Sequence, residues 1–301
     1  MTAGNRIIQS IEYTWAVIQT APTIQMPEAG PPFHRKILRR IKSSLLSFGP
    51  IYRLDLKLRF GTDVRSPSKP PASENFPNRV LQSRTEWLNA ARSAKQLKLP
   101  LHRAKEKNWD HIAAVHAIVN TYPRSAAVLD AGAELYSNVL PALYAYGYEH
   151  LYGMNLSFTD PARRGPIQYL QGDITRTGFQ DAFFDAITCM SVIEHGVPLR
   201  PYFQEMFRLL KPGGLLITST DYYPDPIDTT GRQAHGAPIK IFSRQEAEEM
   251  LSLAMACGFE TTGAVDLDCT ERPIEWVPLG LEYTFLIFTI RKPEGRTHIN
   301  R

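Results

Sequence analysis

The stretch FFDAITCMSVIEHG, Phe183 to Gly196, decides how this chain is read. Its first part, Phe183 to Val192, is nearly all apolar, the pattern of a strand buried on both faces. It then breaks into Glu194, His195 and Gly196, polar residues at the point where such a strand leaves the core. A strand of this type belongs in the middle of a parallel sheet covered by helices, so the flanking sequence should alternate strand and helix.

It does. PLRPYFQEMFRLLKPGG (198–214) reads as a helix with a glycine stop, and LLITSTDYY (215–223) as the next strand. Upstream, KNWDHIAAVHAIVNTYP (107–123) has Trp109, Ile112, Val115, Ile118 and Val119 at helical spacing and ends at Pro123. AAVLD (126–130) is a short buried strand. SNVLPALYAYG (137–147) follows as a helix, with Ser137 as cap and Gly147 as stop. HLYGMNL (150–156) and PIQYLQGD (166–173) are two more strands. SRQEAEEMLSLAMACGF (243–259) is a helix capped by Ser243, and FETTGAVDLD (259–268) and YTFLIFTIRK (283–292) read as the closing strands. The expectation is a doubly wound α/β fold with a mostly parallel sheet, occupying residues 104–301. Residues 1–103 form a basic N-terminal extension with a Pro/Ser-rich loop at 64–79.

At 301 residues and 43% hydrophobic, the chain can bury a large core, and no apolar run approaches the ~18 to 20 residues that span a bilayer. The N-terminal twenty residues lack the charged start and small-residue cleavage site of a signal peptide. The three cysteines, Cys189, Cys257 and Cys269, have no CxxC spacing, which fits a reducing, cytoplasmic setting. The net charge of +4 is unevenly spread: residues 1–110 hold 19 Lys/Arg against 8 Asp/Glu, leaving 15 against 22 for the rest. The basic excess is densest over residues 33–60, where cations interleave with Ile, Leu, Phe and Tyr. That segment suits peripheral contact with an anionic glycan, a membrane surface or RNA; it equally suits a solvated amphipathic helix packed on the domain.

In open α/β sheets, ligands bind beyond the carboxyl ends of the strands. The first strand ends in Asp130-Ala-Gly132-Ala-Glu134, and the second in Asn155 and Leu156. The third ends in Gly172 and Asp173, the fourth in Ser191, Glu194 and His195, and the fifth in Asp221, Tyr222 and Tyr223. Five consecutive apolar strands ending in polar residues form one candidate site.

These pieces (VLDAG, LYGMNLS, LQGDI, FDAITCMSVIEHG, RLLKPGGLLITSTD and YTFLIFTIRK) resemble the class I S-adenosylmethionine-dependent methyltransferases from about Lys107 to Lys292. The resemblance implies a seven-stranded sheet whose last strand is antiparallel, with S-adenosylmethionine as cofactor across the first strand ends. Under it, Asp130 and Gly132 shape the loop beneath the methionine part. Asn155 and the adjoining Leu156 take the ribose position, where an Asp or Glu is usual, and an amide can accept from one hydroxyl and donate to the other. Asp173 accepts from the adenine amino group and Ile174 packs on the ring. Ser191 and the residues up to His195 line the face where the methyl is delivered. The loop departs from the family pattern at Glu134 and Tyr136, where glycine is usual. Glu134 is suited to the methionine ammonium, a pairing that would repel a dinucleotide's pyrophosphate; as a solvated loop residue it would have no such role.

For the reaction itself, an oxygen acceptor calls for a general base. His195 is the first candidate and Asp221 the second. Asp221, Asp225, Asp228 and His235 lie in the loop STDYYPDPIDTTGRQAHGAP, in which Tyr222 and Tyr223 are placed to stack on a sugar face or a base. Three carboxylates in eight residues could bind a divalent cation that orients vicinal hydroxyls; a solvated acidic loop needs none, and no metal is expected. SVIEH stands where amino-methylating nucleic-acid enzymes carry an Asn/Asp-Pro-Pro-aromatic motif, and Cys189 lies within a strand rather than at its end, which argues against nucleic acid. SVIEHG, STDYY and HGAPIKIF are similar to methyltransferases of polysaccharide and glycan assembly. The expectation is O-methylation of a sugar or glycan-like hydroxyl. The alternatives are a small-molecule natural-product methyltransferase and a catalytically silent S-adenosylmethionine-binding partner protein.

Overall fold

A computed structural model describes residues 41–64, 76–234 and 236–294; expectations that fall on residues 1–40, on 65–75 and on His235 lie outside them. Helix α1 (Gly49–Phe60) precedes a two-residue strand β1 (Arg79–Val80) and helices α2 (Arg84–Gln96) and α3 (Asn108–Thr121). The alternation then runs β2 (Ala127–Ala131), α4 (Val139–Ala145), β3 (His150–Asn155), β4 (Ala162–Arg164), β5 (Ile167–Gln171), β6 (Phe184–Met190), α5 (Leu199–Leu209) and β7 (Leu210–Tyr222). It closes with a small hairpin of β8 (Gln233–Ala234) and β9 (Ala237–Pro238), helix α6 (Arg244–Ala256), β10 (Glu260–Thr261), β11 (Ile274–Trp276) and β12 (Leu281–Arg291).

The main sheet has the order β1-β12-β7-β6-β2-β3-β5-β4, with β10 and β11 also paired to β12. Strands β5, β3, β2, β6 and β7 are mutually parallel, and β12 runs antiparallel to β7 from Thr284 opposite Tyr222 to Arg291 opposite Leu215. The seven expected strands are β2, β3, β5, β6, β7, β10 and β12, and the fold is a doubly wound α/β sheet, mostly parallel. Alternation along the strands divides the core. Val128, Ala186, Ile217 and Ile287 pack with α2, α3 and α4, while their neighbours Leu129, Ile187, Leu216 and Leu286 pack with α5 and α6. Helix α6 starts as read, with Ser243 and Glu246 forming a reciprocal capping box.

Three local expectations are corrected. Ser137 does not cap α4: Asn138 holds that position without a side-chain capping bond, and Ser137 Oγ accepts from the Glu134 N–H at 3.0 Å. The Lys-Pro-Gly-Gly run does not end α5, which stops at Leu209; it is a bulge within β7, where Phe184 opposes Leu210 but Ala186 opposes Leu215. Of FETTGAVDLD only β10 is strand, because Asn78 to Val80 occupies the neighbouring edge of β12. Asp266 bonds that inserted segment instead, donating to Asn78 O and accepting from Val80 N. Residues from Ile41 onward form one compact unit.

Candidate active site

At the carboxyl end of β2 the chain turns sharply. Gly132 has φ +88°, and a Cβ there would lie 2.3 Å from Val192 Cγ2, so only glycine lets this loop pass against the segment following β6. Asp130, just before it, is fully buried and accepts from Thr188 Oγ1 at 2.7 Å across to β6. Burial pushes its carboxyl up to about 6 despite the Thr188 bond and the nearby His111. Asp130 therefore ties β2 to β6 beneath the loop.

The two departures from glycine have different fates. Tyr136 is exposed and sits edge-on to the His102 ring. Glu134 turns its carboxylate toward the end of β3, where Oε1 accepts from Asn155 Nδ2 at 3.3 Å and from Ser157 Oγ at 3.1 Å. Asn155 is fixed further by donating to Gly132 O and accepting from the Ser157 N–H. Leu156 projects into solvent beside them. Asp173, exposed after β5, uses Oδ1 to accept from the N–H and hydroxyl of Thr175, an Asx turn, while Ile174 is buried in the core.

Beyond β6 and β7 lies a buried charged cluster. Ser191 has φ +54° and accepts at Oγ from Lys107 Nζ at 2.5 Å. The same ammonium stands 3.9 Å from Asp221 Oδ1 and 3.9 Å from the Phe285 ring centre. Asp221 ends β7 as a buried residue, not as part of the loop that follows, and its Oδ1 accepts no hydrogen bond. Glu194 is buried beside it and accepts from Thr220 Oγ1; Asp110 accepts from Ser219 Oγ at 2.5 Å. Burial raises the carboxyls of both Glu194 and Asp221 above the ordinary range. Asp221 raises Glu194 further, and Lys107 opposes the rise in each. Tyr283 of β12 bonds Asp221 and is itself pushed far up, first by burial and then by these carboxylates. His195 is half-buried in the turn after β6, its N–H donating to Val192 O. Tyr222 is corrected to a core residue: it is fully buried with its hydroxyl on Leu267 O, so it has no face for a ligand.

Sequence reasoning passed over Lys107, Asp110 and Ser157. Lys107 carried a signal: it stands at the N-cap of α3, where the helix dipole disfavours a cation, so something other than helix stability places it there. A cleft of about 450 Å3 is lined by Asp228, Arg232, Arg272, Glu275 and Glu282 with Ile227, Val277 and Leu281 between them. Leu281 and Glu282 immediately precede Tyr283 on β12, and Arg272 also lies 4.1 Å from the ring centre of Tyr223.

Comparison with known proteins gives this geometry a family context. A family model described as a methyltransferase domain matches residues 129–218. Two curated relatives are sterol 24-C-methyltransferases: that of Debaryomyces hansenii is 28% identical over 130 residues, and that of Candida albicans 28% over 119. The matches cover 40% and 36% of this chain, and the chain spans about a third of each relative's length, 34% and 31%. Among solved structures, the Burkholderia thailandensis 1,6-didemethyltoxoflavin-N1-methyltransferase is similar at 18% identity and a TM-score of 0.43, covering 90% of this chain and 94% of that one. The matched residues run from the first strand end through Ser191 into β7, so the strand ends of the candidate site lie within the segment that matches a methyltransferase domain.

Proposed function

We propose that the protein methylates an oxygen of a polar, hydroxyl-bearing acceptor, with Asp221 as the general base. The observation that carries this reading is Asp221 Oδ1: a buried carboxylate oxygen, 3.9 Å from Lys107 Nζ, that accepts no hydrogen bond. A buried unsatisfied acceptor costs about 1–3 kcal/mol, so the position favours an incoming donor such as a substrate hydroxyl.

The residues at the first strand ends suit the cofactor. Glu134 and Asn155 together offer a carboxylate and an amide at the ribose position, which supports moving Glu134 from the methionine ammonium to the ribose hydroxyls. Gly132 and the loop behind it keep the backbone close, and the second oxygen of Asp173 faces solvent for the adenine amine. S-adenosylmethionine, when bound, supplies a methyl group on a sulfonium. The chain's own task is to hold the acceptor in line and take its proton. Asp221 accepts that proton as the oxygen forms its bond to carbon, and Lys107 keeps enough of the carboxylate ionised to do so. His195, in the adjoining turn, positions the acceptor and is the second base.

Acceptor class follows from the cleft. A sterol needs an apolar wall, whereas five charged side chains line the cleft to which Leu281 and Glu282, the residues before Tyr283 on β12, contribute. Sugars and glycan-like compounds fit the alternation of carboxylate and guanidinium better. The three free cysteines support a reducing, cytoplasmic location. The test is calorimetry with S-adenosylmethionine and S-adenosylhomocysteine, followed by methyl transfer to nucleotide sugars and to sterols. Micromolar cofactor binding with transfer to sugars is expected. No binding at millimolar cofactor, or transfer only to sterols, overturns the proposal.

A further inference from the structure

Helix α1 has two apolar faces, and the fold uses one. Tyr52 and Leu56, four residues apart, are 2% and 1% exposed. Tyr52 stacks on Tyr144 with ring centres 5.6 Å apart, and the preceding turn is fixed by the Gly165 N–H donating to Leu46 O at 2.9 Å. The opposite face repeats at the same spacing through Ile51, Leu54 and Leu58, the last two 55% and 68% exposed. It continues backward through Phe48, 67% exposed, to Leu45 and Ile41, on the helical turn of residues 41–46. A packed surface helix needs one apolar stripe; this one presents a second to solvent.

The charge around that stripe indicates what covers it. Between Ile41 and Phe60 the sequence holds four Lys/Arg (42, 53, 57 and 59) against the single acid Asp55. Arg59 takes up Asp55 at 3.5 Å, and Lys57 is exposed beside Leu58. Apolar side chains standing out of a net cationic segment match the interface of an anionic bilayer, where the apolar groups enter the acyl boundary and the cations meet headgroups. Among the described residues no helix is long and apolar enough to cross a membrane, so contact through this segment is peripheral.

We infer that residues 41–60 form a docking surface for an anionic phospholipid membrane, with Ile41, Leu45, Phe48, Ile51, Leu54 and Leu58 as the inserted face. The contact is reversible, because the apolar face is short and part of the attraction is electrostatic and screened by salt. The inference stands apart from the catalytic reading, since none of these residues touches the site at the strand ends.

The full chain is floated with phosphatidylcholine vesicles containing roughly 30% phosphatidylserine, and with phosphatidylcholine alone, at about 0.15 M and about 0.5 M salt. Co-flotation with the anionic vesicles is expected, at least about tenfold weaker on neutral ones and reduced by salt. The Leu54→Gln/Leu58→Gln variant should lose it, with melting temperature and S-adenosylhomocysteine affinity unchanged because both side chains are exposed. A wild type that stays unbound overturns the inference, as does a variant that still floats. So does a dimer seen by sedimentation velocity in the wild type and lost in the variant, which would make the face a contact between copies.

Discussion

Asn155 and Glu134 meet at the end of β3: the amide sits on the strand, and the carboxylate reaches it from the preceding loop, Nδ2 to Oε1 at 3.3 Å. Ser157 Oγ holds the same carboxylate oxygen, so one acid and one amide stand together at the place proposed above for the ribose. Glu134→Ala is expected to weaken S-adenosylhomocysteine binding about tenfold or more by calorimetry, as loss of charge-assisted bonds does. Asn155→Asp alone places two carboxylates together and should also weaken it. Combined as Glu134→Gln/Asn155→Asp, the carboxylate returns to the strand end and affinity recovers. If the double variant is as weak as the two single losses added together, the two residues do not share the task.

With Asp221 as the proposed base, Lys107 is expected to set the acid limb of activity. Burial raises Asp221 and the lysine opposes the rise, so removing the cation moves the carboxyl further up and the ionised base appears only at higher pH. Lys107→Met should shift the acid limb of kcat upward by about one to three pH units, the range given by a charge pair at this separation in a medium of intermediate dielectric. Lys107→Arg should restore most of it. An unshifted profile with a lower plateau would make Lys107 a packing residue.

The fold was legible because each strand carried its own period and its own stop, and the strand ends pointed to the cofactor side. What escaped was long-range. Nothing near Asn78 says that it will insert beside β12 and displace the stretch up to Asp266, since that pairing joins residues nearly two hundred positions apart. Lys107 and Asp221 meet across more than a hundred positions, and a single chain gives no sign of which cation a buried carboxylate will find. Glu134 was legible as an oddity in the loop; the direction of its side chain depends on Asn155 and Ser157, which local pattern does not reveal.

Gly132 tests the loop itself. Gly132→Ala forces an L residue to φ +88° and drives a methyl into Val192, at a cost of about 2–4 kcal/mol from backbone strain and overpacking together. Adding Val192→Ala removes the clash and leaves the strain, so urea unfolding should recover only part of the loss. Full recovery would show that the positive φ carries no cost here.

Asp130 should make stability fall as pH rises. Its folded-state carboxyl is raised to about 6 from 3.8, so its contribution is fully present below the unfolded value and is lost as pH passes through about 6. At neutral pH the buried charge costs at most about 3 kcal/mol, two pKa units at about 1.4 kcal/mol each. Asp130→Asn keeps an acceptor for the Thr188 hydroxyl and removes the charge. Under urea the variant should therefore be more stable than the wild type at pH 7.5, with the difference shrinking toward zero near pH 4. The pH dependence of Glu194 and Asp221 is common to both proteins and cancels in that difference. A gap that stays constant with pH would mean that Asp130 binds no more protons in the folded than in the unfolded protein over this range, so that burial does not raise its carboxyl.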